Sequence, residues 1–206
     1  MTESYTIFID FEFSMPQKKG MPKDFYPEII EAGIVVVHNN EIIEQFSEYV
    51  RPKAFPILTS RCMEFLSITQ DQVNAGISLE ELVNRFNGYN ERGKCKVVTW
   101  GNMDMKVLRD NCRKADLPFP FTGEFVDLSM EYKKFFGDQN QTGLWKAVRD
   151  YGKDGVGKHH RALDDALTTL HIYRLVEKDK QYLQNSATTT IGDRIDLSQL
   201  LNKFAL

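Results

Sequence analysis

Asp10 and Glu12 sit inside YTIFIDFEF (5–13), an apolar run that otherwise reads as a buried β-strand. Moving a carboxylate out of water is costly unless something pairs with it. Residues two apart on a strand share a face, so the two acids project together, while Ile7, Ile9, Phe11 and Phe13 face the other way. Neighbouring carboxylates repel and will not both ionise unless a cation lies between them. Hard oxygen donors on a rigid strand suit Mg²⁺ or Mn²⁺. The competing arrangement is a strand end that carries both acids into solvent, and a D-x-E by itself does not separate the two.

The surrounding pattern implies an α/β domain. EIIEAGIVVV and EIIEQFSEYVRP flank HNN, and Asn39-Asn40 suits a tight hairpin because Asn tolerates positive φ. The first strand and this pair make a meander. The period then changes: SLEELVNRFNGYN carries a capping box, Ser78 with Glu81, and places Leu79, Leu82, Val83 and Phe86 at helical spacing. KVVTW (96–100) reads as a short buried strand with a helix behind it, and FVDLS as another short strand. GLWKAVRDYG and RALDDALTTLHIYRLVEK read as helices. Strands in a meander, then strands alternating with helices, predict a mixed sheet covered by helices.

Two further features carry chemistry. Asp104 follows the strand KVVTW at the start of a helix, where the helix dipole favours a carboxylate. Simple helix capping explains that placement equally. In HHRALDDA, His160 precedes a helix and Asp165 stands in its early turns. A histidine there can take a proton from a water held on a metal; the plainer reading is a surface cap.

Together the three features resemble the DEDDh family of 3′→5′ exonucleases. The matching residues are Asp10 and Glu12 in DFE, Asp104 in WGNMD, and His160 with Asp165 in HHRALDD. CMEFLSITQDQV (62–73) is also similar to the C-x-x-L-T-x-I-x-Q stretch of the RNA-trimming branch, with Phe65 and Leu66 in place of its L-T pair. The resemblance covers roughly residues 5 to 178. It implies a ribonuclease H-like fold: a mixed five-stranded sheet, three-stranded meander plus parallel strands, covered by helices. It also implies removal of nucleoside 5′-monophosphates from single-stranded 3′ ends, RNA rather than DNA, with two Mg²⁺ or Mn²⁺ ions. By that resemblance Asp10, Glu12, Asp104 and Asp165 are metal ligands and His160 is the general base. Phe11, Phe13, Phe65 and Leu66 are the candidates for gripping the terminal base. The alternative is a catalytically weak RNA- or protein-binding regulatory module of the same fold.

A net charge of −3 and a pI near 5.9 offer no general attraction to a polyanion. Two divalent ions would cancel that charge locally, so the acidity fits a nuclease that grips one phosphate through metals. Cys62, Cys95 and Cys112 are odd in number, widely spaced and lack C-x-x-C. With no apolar leader or membrane-length apolar run, they point to the cytoplasm. The glycines of GKDGVGKHH (152–160) are expected to let the His160 segment move. Residues 1–180 are expected to form the exonuclease domain. Residues 181–206 are expected to be a linker with a short amphipathic C-terminal helix, through Leu197, Leu200, Leu201 and Phe204, that docks back or meets a protein partner.

Overall fold

The acid-bearing strand, β1 (Ser4–Phe13), is the middle strand of the sheet. On one side it pairs antiparallel with β2 (Ile29–His38), which pairs antiparallel with β3 (Glu41–Tyr49). On the other side it runs parallel to β4 (Lys94–Thr99), which runs parallel to β5 (Glu124–Asp127). The order β3-β2-β1-β4-β5 is the expected meander plus parallel strands. Asn39 and Asn40 turn the β2–β3 hairpin with φ of 49° and 66°, the left-handed pair that a two-residue hairpin requires.

The computed structural model describes residues 4–17 and 22–186. The chain divides into two compact units, 1–170 and 171–206, and every site residue named above lies in the first. The helices are α1 (Ser60–Leu66), α2 (Gln70–Asn74), α3 (Leu79–Arg92), α4 (Met103–Lys114), α5 (Leu128–Phe136), α6 (Leu144–Asp150) and α7 (Ala162–Ser186). The capping box read from Ser78 and Glu81 is formed at the start of α3. Helix α7 runs on to Ser186, into the stretch expected to be linker. The expected C-terminal helix lies outside the described residues.

The alternation in β1 sorts its side chains as anticipated. Ile7, Ile9 and Phe11 join Leu82, Val83 and Phe86 of α3 and Val107, Leu108 and Cys112 of α4 in one core. Asp10 and Glu12 therefore leave from the opposite face. A smaller core there joins Ile30 of β2 to Cys62 and Leu66 of α1, Ile68, and Val73 of α2. β2 is covered on both faces, which is why its sequence reads as a continuous apolar run rather than an alternating one.

Two local facts position the site. The β1–β4 ladder stops at the Phe8–Val98 pair, whereas β1 stays paired with β2 as far as Phe13. Beyond Phe8 the β4 side of β1 has no strand partner, and this is the stretch that carries the acids. On the β2 side, Asp10 faces Gly33 across the ladder. A Cβ on Gly33 would lie 2.0 Å from the carbonyl carbon of Ala162, so the start of α7 reaches the sheet only because that side chain is missing.

The three cysteines are free and buried, and among the described residues no helix is long and apolar enough to cross a membrane.

Candidate active site

Asp104 fills the gap that β4 leaves. Its Oδ1 accepts the backbone N–H of Phe11 at 2.9 Å, replacing the strand partner that this part of β1 lacks. It is not the cap of its own helix, whose N-cap is Asn102; it bolts the start of α4 to the acid-bearing end of β1. Asp165 is held by two donors. Trp145 Nε1–H donates to its Oδ1 at 2.5 Å, and the His160 backbone N–H to its Oδ2 at 3.1 Å. Carboxylate oxygens of Asp10, Glu12 and Asp165 come within 4.8 Å of one another. His160 Nδ1 stands 3.9 Å from Glu12 Oε1, with its backbone at φ 64°, an uncommon conformation for a residue with a side chain.

A cleft of about 280 Å³ opens between them. All five residues of the expected set line it, so sites 155 residues apart in the chain converge on one point. The four apolar candidates border the same cleft but divide. Phe11 and Leu66 are core side chains. Phe13 is half-buried, and Phe65 is 55% exposed with its ring 4.4 Å from that of His160.

Burial and mutual repulsion dominate the electrostatics of the site. Glu12, Asp104 and Asp165 are only 8%, 5% and 6% exposed. Burial, then repulsion from the other carboxylates, pushes Asp10 well above the ordinary carboxylate range and Glu12 up to about 8. Burial lifts Asp104 to about 7 against the pull of the Phe11 N–H, and raises Asp165 as well. His160 is held below its ordinary value by burial and by His159 stacked on it at 3.8 Å, so it is neutral near pH 7 and free to accept a proton. Clustered oxygen donors that cannot all ionise alone fit a hard divalent cation.

That arrangement makes stability depend on pH and metal together. Asp10, Glu12 and Asp104 bind protons more tightly folded than unfolded. They therefore stabilise the fold fully below the unfolded values near 4, and lose that contribution as pH rises through about 7 and 8. Thermal melts in EDTA are expected to fall steadily from pH 5 to pH 8.5, by several kcal/mol in stability. Mn²⁺ should raise the melting temperature far more at pH 8 than at pH 5. A metal-free melting temperature that stays flat over that window would contradict this account.

The loop of residues 152–160 is tied to α7 at two points. Val156 N–H donates to Thr168 Oγ1, and Lys158 N–H donates to Asp164. A Cβ on Gly155 would meet the Trp145 ring at 2.7 Å, and one on Gly157 would meet the Asp164 carboxyl at 2.2 Å. Gly155 and Gly157 serve close packing against Trp145 and α7, while a Cβ on Gly152, at φ 65°, would meet nothing within 4 Å. Trp145, a plain helix residue by sequence, also holds a site carboxylate, and nothing in its local pattern signals that.

Comparison with known proteins agrees with this geometry. Residues 7–173 match the family model described as Exonuclease. The chain belongs to that exonuclease family. It is 54% identical to the probable 3′-5′ exonuclease KapD of Bacillus subtilis, over 98% of this chain and 99% of that one. It is 29% identical to the human 3′-5′ exoribonuclease 1 over 96% of its length, spanning 58% of that protein. Among solved structures, the nuclease domain of 3′hExo, a DEDDh family member bound to rAMP, superposes with a TM-score of 0.76 at 28% identity, covering 86% of this chain and 93% of that one. The exonuclease thus has the ribonuclease H-like fold expected for DEDDh enzymes, and its strand-borne acid pair lies within the matched region.

Proposed function

We propose that this exonuclease removes nucleoside 5′-monophosphates one at a time from the 3′ end of single-stranded nucleic acid, RNA in preference to DNA. The observation that carries the reading is the convergence of Asp10, Glu12 and Asp165 within 4.8 Å, with Asp104 and His160 lining the same cleft. Two divalent ions, Mg²⁺ or Mn²⁺, held by Asp10, Glu12, Asp104 and Asp165 would supply Lewis-acid activation and charge neutralisation at the last phosphodiester. His160, neutral and partly buried, takes the proton of the attacking water. The Asp165 carboxylate, which accepts the His160 N–H, keeps that ring over the cleft.

Phe65 and Phe13 are the side chains placed to press on the terminal base, because both border the cleft without being sealed in the core. A cleft this small takes one unstacked nucleotide, which favours single strands. The RNA preference is supported by the human relative's name and by the rAMP in the solved neighbour. The catalytic domain is assigned to residues 1–180, with 181–206 as an appendage open to a protein partner. Three free buried thiols are consistent with action in the cytoplasm.

The test uses 5′-labelled single-stranded RNA and DNA of one sequence, with Mn²⁺, Mg²⁺ or EDTA. A metal-dependent ladder shortening from the 3′ end, faster on RNA, is expected. Folded protein that binds either strand tightly yet gives no ladder would favour the binding-module alternative, and a faster DNA ladder would reverse the sugar preference.

A further inference from the structure

Glu31 of β2 is a second carboxylate inside an apolar run, 1% exposed, and the proposed chemistry has no use for it. Across the ladders it lies directly between Glu12 of β1 and Tyr49 of β3. Arg161 lies over this row: its Nη2 is 2.9 Å from Glu31 Oε1, and its guanidinium carbon is 5.4 Å from the centre of the Tyr49 ring. Arg161 is also the link between His160 and Ala162, the residue that Gly33 receives. Three consecutive residues are therefore laid across the sheet: His160 beside Glu12, Arg161 on Glu31, and Ala162 on Gly33.

We infer that the Glu31–Arg161 ion pair is a positioning device for the hydrolytic site, locking the segment that carries His160 and Asp165 onto β2, the strand paired with the one that carries Asp10 and Glu12. The inference rests on the reading that those four residues form the site. An ion pair whose carboxylate is buried returns little net stability against the desolvation of that carboxylate, so stability alone is a weak reason to place one here. His160 sits at positive φ, a conformation that lasts only when its surroundings over-determine it. Arg161, the next residue, is where that determination is applied.

The test takes the full chain as wild type, Arg161→Met, Glu31→Gln, the double variant, and Asp10→Asn. Melting temperature, Mn²⁺ affinity by calorimetry, and kcat and KM on a short single-stranded oligonucleotide are measured for each. Arg161→Met leaves a buried carboxylate unpaired and should melt earlier. The double variant removes both charges and should recover most of that loss. Its kcat should nonetheless stay about 100-fold low, as in the single variants, with KM within about threefold and Mn²⁺ binding about tenfold weaker. A pair that served only the fold would recover kcat and Mn²⁺ affinity together with melting temperature, and that result overturns the inference. Losses that multiply in the double variant would overturn it too, since a locking pair acts as one unit. Wild-type turnover by Asp10→Asn would instead strike the site reading beneath it.

Discussion

Asp10→Asn should lower turnover by at least about a thousandfold while making the metal-free protein more stable at pH 8. The two effects have one cause. Asp10 is packed against Glu12, Asp104 and Asp165 in a site where burial and mutual repulsion oppose ionisation of every member. Replacing one carboxylate with an amide of the same shape removes a charge from that cluster, so the fold relaxes. It also removes a donor from the only described group of three carboxylates close enough to share a cation. The gain in melting temperature on adding Mn²⁺ should therefore shrink sharply in the variant. Calorimetric melts with and without Mn²⁺, beside oligonucleotide turnover, read all three effects. Unchanged turnover, or a metal-free variant that melts below wild type at pH 8, would sink the explanation. Stability given up at a functional cluster is the usual trade in enzymes.

How much of this was legible in the sequence varied with how local the cause is. Asp10 and Glu12 declared themselves because a charge in an apolar strand demands a reason that the strand itself does not supply. The same logic applied to Glu31 in EIIEAGIVVV would have marked it, but its partner Arg161 comes from 130 residues later, and only folding joins them. Asp104 was legible as a strand-end acid, but its bond to Phe11 depends on where the β1–β4 ladder stops. Helices α1 and α2, seven and five residues long, are too short for a helical period to emerge. α5 was hidden by Asp127, which closes β5 and caps the helix after it by accepting the Met130 N–H, so FVDLS read as strand alone. Gly155 and Gly157 read as freedom because sequence shows what a glycine permits, not what is pressed against it.

Gly33→Ala and Gly88→Ala are expected to have opposite signs, and the contrast isolates what brings the two halves of the site together. Gly88 lies inside α3 with nothing within 4 Å of a new Cβ, so alanine there should stabilise by about 0.5–1 kcal/mol through helix propensity alone. At Gly33 the same methyl would fall 2.0 Å from Ala162 C and 2.1 Å from Leu163 N. Both are backbone atoms at the start of α7, so no side chain can swing away. Either the helix start lifts off the sheet or β2 bows. Overpacking of this kind costs about 1–3 kcal/mol, but the larger effect should be on turnover. Gly33 is the ladder partner of Asp10, and Ala162 is followed within one turn by Asp165. The methyl therefore acts as a wedge between the two groups of site carboxylates, and a displacement of about 1 Å at reacting groups is enough for about a 100-fold loss. Melting temperature and kcat for both variants decide the matter. A Gly33→Ala protein that melts and turns over like wild type would mean that the close approach of α7 to β2 does not set the geometry of the site.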